Sequence, residues 1–537
     1  MPYTTDDYHR EIREFTWDIP SDYNIVSVVE EHARRNPDKV AIFWEDDQNR
    51  TRRVSYNELI NGAYRFANIL LGCGVEKADP VLHILPRLPE AHMIQLGTFA
   101  CGGVAVPCTE MLRPKEIEHR AKISGARVIV AHIDNTDIVD AVRESCPLDT
   151  FIVIGGEKKG WISFEKKMET VSAQCPAVSV GVEDPLTINF TSGTTGEPKP
   201  VMHKERWLYA HGVITARYWY DIQDDDIIWS TTGPGWAMWY WAPIGVALNH
   251  GVSQLIYNGR FDPERYLKIA AKYKITKFGA TPTEYRIITA LPNLSQFKLP
   301  QLRAALSAGE PLNIEPIEAF KRAFDVTIRD AYGQTETVCL VSNYPGLPVR
   351  PGSMGKPTPG LGATVIDKAG NPVTRDGIGE IAVQPDNPGI FDSYWDTPVI
   401  AASDGWYRTG DLVRLDEDGY IYFEGRVDDV IITSGYRIGP FEIEDALVSH
   451  PAVVEAAAVA APHRERGEIV KAFVILSQGY DPSAELIKEL QDHVKRITAP
   501  YKYPRKIEFV RELPKTASGK IKRAELKRKE WEGWDRR

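Results

Sequence analysis

Short apolar runs, each ending in a glycine- or hydroxyl-rich stretch, recur along this chain with helical periodicity between them. Val81-Leu82-His83-Ile84-Leu85, Val128-Ile129-Val130-Ala131 and Phe151-Ile152-Val153-Ile154 are of strand length, and Gly155-Gly156 closes the last. Ser55-Tyr56-Asn57-Glu58 has the form of a capping box, whose Ser and Glu side chains satisfy the orphan N–H groups of a helix start. Leu59, Ala63, Phe66, Ala67 and Leu70 follow at helical spacing until Gly72 and Gly74 stop it. The alternation predicts an α/β fold with a largely parallel, helix-flanked sheet.

The middle of the chain repeats a strand followed by a polar loop. Leu186–Phe190 empties into Thr191-Ser192-Gly193-Thr194-Thr195-Gly196-Glu197-Pro198-Lys199-Pro200. Trp229–Trp236, Leu302–Pro311 and Thr327–Glu336 have the same texture. Ligands of open α/β sheets sit beyond the carboxyl ends of the strands, so these loops are expected to converge on one composite site. From Ser353 the pattern changes to short β-like pieces, including Gly379–Val383 and Gly419–Phe423, which suggests a small barrel-like subdomain. Beyond the charged Gly425–Asp429 segment, Phe441, Ile443, Leu447 and Val448 suggest a helix and Val453–Val459 a strand. A second helix follows Asp481-Pro482-Ser483, with Leu486, Ile487, Leu490, Val494 and Ile497 on one face. The expected division is a large N-terminal domain, 1–427, whose β-rich part is 352–427, and a small α+β domain, 428–537.

Composition narrows the class. A chain of 537 residues is too long for one core, and 43% hydrophobic with 26% charged residues is globular. A net charge of −10 argues against a nucleic-acid binder. The six cysteines (Cys73, Cys101, Cys108, Cys146, Cys175, Cys339) form no C-x-x-C pair, so buried free thiols are expected rather than a zinc or redox centre. The N-terminus is polar and acidic, unlike a targeting sequence, and no apolar run reaches membrane-spanning length. A cytoplasmic enzyme is the expectation; nothing in the pattern specifies an oligomeric state.

The 191–199 loop is the first candidate for chemistry. Glycines and hydroxyls let backbone N–H groups point at one polyanion, and Lys199 adds a mobile charge. It is not a Walker A loop, because Pro198 stands where a glycine would precede Lys-Ser/Thr. Taken alone, it also fits a plain Ser/Thr/Gly surface turn.

With five ordered motifs together (TSGTTGEPKP, AYGQTE, YRTGDL, GRVDDVIITSGYRIGP and PKTASGK), the chain resembles the acyl-adenylate-forming superfamily of acyl-CoA synthetases, nonribosomal adenylation domains and firefly luciferase. SGYRIGPFEIEDAL, RGEIVKAFV and APYKYPRKIEFV are most similar to medium-chain acyl-CoA synthetases. The resemblance implies two half-reactions: a carboxylate and ATP give acyl-AMP and pyrophosphate, then the thiol of CoA displaces AMP. It implies that Thr191, Ser192, Gly193, Thr194, Thr195, Gly196 and Lys199 cradle the β- and γ-phosphates, and that Glu336 binds Mg²⁺, a hard cation suited to carboxylate oxygen. Thr335 would donate to the α-phosphate. Tyr332 would stack on adenine, with Gly309, Glu310, Pro311, Asp330, Ala331, Gly333 and Gln334 completing the AMP site. Asp411, helped by Arg426, would take the ribose hydroxyls.

Lys520 would be the catalytic lysine of the adenylation half, although on composition alone it is one cation of a basic tail with Lys515, Lys522, Arg523, Lys527 and Arg528. Asp428 matches the family's hinge. Ser434, Gly435, Tyr436 and Arg437 would line the CoA thiol's path, with Arg466, Lys495, Tyr503 and Arg505 towards the CoA nucleotide; each of these cations is also readable as a solvated surface charge. In acetate-specific relatives a tryptophan precedes Gln-Thr-Glu. Gly333 stands there in this chain, so an open acyl pocket is expected, lined by Trp236, with Gly333→Trp shifting preference towards acetate or propionate. Trp239, Tyr240 and Trp241 are either further lining or plain core. The expected substrate is a medium-chain, branched or cyclic/aromatic acid. The rivals are an enzyme that loads a carrier protein and a non-catalytic nucleotide-binding homologue.

Overall fold

The computed structural model describes residues 4–191, 198–310, 312–395, 397–398, 404–433, 436–464, 466–498, 502–516, 520–532 and 534, with backbone alone at 398, 436 and 437. By its contacts the chain falls into two units.

The first unit holds two nine-stranded sheets. One runs in the order Lys356–Pro357, Val341–Ser342, Ile328–Tyr332, Ala304–Ala308, Lys277–Ala280, Ile227–Ser230, Ser253–Asn258, Val40–Asp46 and Thr51–Ser55. Its central strands are parallel, and antiparallel pairs close both edges. The other runs Thr397–Pro398, Ser393–Tyr394, Pro200–Lys204, Pro185–Phe190, Val104–Cys108, Pro80–Ile84, Val128–His132, Thr150–Ile154 and Ile162–Ser163. The apolar runs are therefore strands buried on both faces, as parallel sheets require. The predicted capping box is formed: Ser55 Oγ accepts from Glu58 N and the Glu58 side chain accepts from Ser55 N. Helix Tyr56–Gly72 buries Leu59, Ala63, Phe66, Ala67 and Leu70.

The second unit takes in 363–383 and the chain from 401 onward. Its β-rich part is a four-stranded antiparallel sheet of Thr364–Ile366, Gly377–Val383, Tyr407–Leu415 and Ile421–Arg426. A five-stranded sheet follows, in which Gly467–Leu476 pairs with Val453–His463, Ile431–Thr433 and Lys506–Phe509. Helices Pro440–Val448 and Ala484–Ile497 share one core with it, built on Ile431, Leu447, Leu490 and Val494. Ser483 caps the second helix by accepting from Leu486 N, as its position predicts. Ile497, placed by periodicity on the buried face, is 55% exposed because the helix ends there and the core does not extend past Val494. Of the cysteines, Cys101, Cys108 and Cys339 are buried, Cys73 and Cys146 lie partly so, and Cys175 is exposed.

Candidate functional site

Strands Ile227–Ser230, Lys277–Ala280, Ala304–Ala308 and Ile328–Tyr332 are parallel neighbours, so the loops leaving at Thr231, Gly309 and Gly333 open along one edge. Glu310 is held there by Thr283 Oγ1 at 2.8 Å and Arg286 Nη2 at 3.3 Å. Asp330 is 5% exposed and its Oδ1 has no hydrogen-bond partner. Burial pushes this carboxyl well above the usual carboxylate range, with the Ala331 backbone hydrogen bond opposing the rise. Ala331 is buried, whereas Tyr332, Gly333, Gln334, Thr335 and Glu336 are half-buried and reachable.

The 191–199 loop leaves strand Pro185–Phe190, and its ends are tied reciprocally: Thr191 N donates to Lys199 O at 3.0 Å, and Lys199 N to Thr191 Oγ1 at 3.0 Å. Ser192, Gly193, Thr194, Thr195 and Gly196 lie outside the described residues, as does Pro311. Strand Ser393–Tyr394 pairs with Pro200–Lys204 and brings Tyr394 beside the loop's end. The Lys199 Nζ stands 5.2 Å from the Tyr394 ring centroid, and the Tyr394 hydroxyl donates to Glu336 Oε1 at 3.2 Å. One phenol thus joins the lysine of the first motif to the carboxylate of the second. No sequence signal marks Tyr394, because an aromatic in a two-residue strand carries no periodic pattern.

Behind the Gln334–Glu336 turn, His203 Nε2 donates to Thr335 O at 2.8 Å. Burial lowers this imidazole to about 3, so it is neutral at physiological pH. Its ring stacks at 3.6 Å on Trp207, which in turn meets His211 edge-on at 4.6 Å. This packed aromatic column braces the turn.

The space beside Gly333 departs from the expected opening. A Cβ built on Gly333 would lie 2.4 Å from Trp241 Cη2, so the room that a missing side chain leaves is filled by another tryptophan. Trp239 and Tyr240 are core: Trp239 Nε1 donates to Gln95 Oε1 at 2.7 Å, and Tyr240 OH and Thr187 Oγ1 are 2.9 Å apart. Trp236 is half-buried at the start of the segment.

In the second unit Asp411 is 5% exposed on Tyr407–Leu415, paired across the sheet with Arg426. Arg426 Nη1 donates to Asp411 Oδ1 at 3.2 Å and to Thr409 O at 2.9 Å. Gly410, at φ +76°, leaves space for that guanidinium, since a Cβ there would stand 2.6 Å from Nη2. Asp428 is in an exposed turn, with its Oδ1 3.6 Å from Arg426 Nε. Lys520 is exposed; its N–H donates to Thr516 Oγ1 at 3.1 Å and its carbonyl accepts from Thr516 N at 2.8 Å.

Of the residues assigned to CoA, three come together: Lys495 Nζ lies 4.3 Å and Arg505 Cζ 4.9 Å from the Tyr503 ring centroid, and Arg505 donates to Tyr503 OH at 2.8 Å. Arg466 is exposed just before strand Gly467–Leu476. Ser434 and Gly435, and the side chains of Tyr436 and Arg437, lie outside the described residues.

A divalent cation would find at Glu336 the oxygen donor it prefers. Among the described residues no group of three or more His, Cys, Asp or Glu side chains is placed to hold a metal, so such an ion would depend on one carboxylate plus its ligand's oxygens.

Residues 29–395 match the AMP-binding enzyme family, and residues 442–520 match the AMP-binding enzyme C-terminal domain. The chain is similar to the uncharacterized acyl-CoA ligase YtcI of Bacillus subtilis, at 42% identity over 95% of this chain and 97% of that one. It is likewise similar to the mitochondrial acyl-coenzyme A synthetase ACSM3 of Rattus norvegicus, at 38% identity over 99% and 94% of the two chains. Among solved structures, an anthranilate CoA ligase in complex with anthranoyl-AMP superposes with a TM-score of 0.87 at 30% identity, covering 95% of this chain and 98% of the other.

Proposed function

Because the chain belongs to the AMP-binding enzymes and is an AMP-forming acyl-CoA synthetase, we propose a specific division of its reaction among the residues above. The protein binds ATP and acts on a small carboxylic acid. The observation that carries the assignment is the convergence of Lys199 and Glu336 on Tyr394. Lys199 and the loop before it hold the leaving pyrophosphate, and Glu336, positioned by the Tyr394 hydroxyl, holds Mg²⁺. The ion supplies charge neutralisation at the phosphates. Tyr332, Gly309, Glu310, Asp330, Ala331, Gly333 and Gln334 shape the AMP site, and Thr335 donates to the α-phosphate.

Asp411 accepts from the ribose hydroxyls while Arg426 steadies it, and Lys520 neutralises charge on the carboxylate and α-phosphate as acyl-AMP forms. CoA is then the acyl acceptor. Two cations gathered on Tyr503 suit a polyphosphate end, which supports CoA over a carrier protein. No helix among the described residues is long and apolar enough to cross a membrane.

For the acid, Trp241 beside Gly333 favours a compact apolar group, branched, cyclic or aromatic, over a long straight chain. A similar solved structure, named as an anthranilate CoA ligase, supports an acid larger than acetate. The test is CoA-dependent AMP release across a panel from acetate to decanoate plus benzoate. Turnover fastest with acetate, or AMP release independent of CoA, would overturn the reading.

A further inference from the structure

The helix that follows Lys520, Arg523–Trp531, has six charged residues among its nine, and Leu526 is its one buried apolar side chain. Such a helix has little apolar burial to set its direction, so polar anchors must do so. At its far end Trp531 Nε1 donates to Ala460 O at 3.1 Å. At its first residue Arg523 makes a two-pronged contact with Glu444, Nε to Oε1 at 2.8 Å and Nη2 to Oε2 at 2.5 Å. Glu444 is 5% exposed on helix Pro440–Val448, and its Oε1 also accepts from Ala458 N at 2.8 Å, which ties the carboxylate to strand Val453–His463. Lys522 N donates to Pro514 O at 2.8 Å, so Lys520 sits in a narrow turn whose exit runs straight into Arg523.

We propose that Arg523 is a positioning residue for Lys520, its fork on Glu444 fixing where the lysine's turn leaves the body of this unit. A buried ion pair often adds little net stability, because desolvation offsets attraction; its use is geometric, since a planar guanidinium against a carboxylate admits one orientation. Arg523 also acts through its charge on Asp429, the neighbour of Asp428. Burial raises the Asp429 carboxyl, and Arg523 is the largest charge opposing that rise. The inference rests on the role given above to Lys520.

The test uses the full chain and the acid that the wild-type enzyme turns over fastest. ATP–pyrophosphate exchange reads the adenylation half, and thioester formation from preformed acyl-AMP reads the other. Arg523→Met is expected to lower exchange kcat by about 10- to 100-fold, the scale of a 1 Å misplacement. The ATP KM and the thioester half should stay near wild type, and Arg523→Lys should recover part of the loss. Equal losses in both halves, or unchanged exchange, would overturn the proposal. If Arg523→Met does not fold, Glu444→Gln decides by the same two rates, with a smaller selective loss of exchange expected. Lys520→Ala in parallel separates the two ideas: if it keeps exchange, the role of the lysine fails, and if it alone loses exchange, only the role of Arg523 fails.

Discussion

The Trp241 indole occupies the room beside Gly333, with Cη2 2.4 Å and Cζ2 2.6 Å from where a Cβ would stand, and Val338 O at 2.5 Å closes the other side. An open pocket was the expectation from Gly333 alone. The room that a tryptophan at 333 would need is taken by Trp241, which arrives from Tyr240–Leu248. Gly333→Trp therefore has no space to enter and should reduce soluble yield and Tm, because overpacking costs about 1–3 kcal/mol. Trp241→Ala should instead admit longer straight-chain acids. An unchanged chain-length profile in Trp241→Ala would count against Trp241 as the boundary.

Lys520→Ala is expected to abolish ATP–pyrophosphate exchange, a loss of about 10²–10³ for one electrostatic donor. Thioester formation from preformed acyl-AMP should largely survive. Parallel loss of both rates would remove the lysine from the adenylation step.

Asp428 lies in an exposed turn, where a backbone change meets little packing resistance. Proline fixes φ, so Asp428→Pro should retain one half-reaction and lose the other. Full overall turnover in that variant would refute a hinge at 428.

Glu205 is 1% exposed, and burial raises its carboxyl from 4.5 to about 8. Between those values the folded protein keeps a proton that the unfolded chain has released. Stability should therefore fall as pH rises through that window, with a limiting slope of about 1.4 kcal/mol per pH unit. Glu205→Gln removes the titration, so its Tm should exceed that of wild type at pH 8 and the gap should shrink at pH 5. Melting curves with a constant gap would show that Glu205 does not titrate in this range.

Local signals were legible wherever chemistry acts over a few residues. The box at Ser55 and Glu58, the cap at Ser483 and the buried strand at Leu186–Phe190 need only neighbours in sequence to declare themselves. The motifs that carry the resemblance, around Lys199, Glu336, Asp411 and Lys520, are local in the same sense. Ile497 shows the limit of periodicity, because helical spacing assigns a face but not where the core beneath it stops.

What the sequence determined by itself is the fold class, through alternating strands and helices, and, through the resemblance carried by five ordered motifs, the reaction. What only the tertiary structure decided is which distant side chains complete those motifs. Tyr394 reaches Lys199 and Glu336 through a two-residue strand pairing, Trp241 reaches Gly333 from a separate helix, and Arg523 reaches Glu444 across 79 positions. The physical reason is common to all three: a contact made through sheet pairing or close packing depends on where two backbones meet, and no spacing within either segment encodes that meeting.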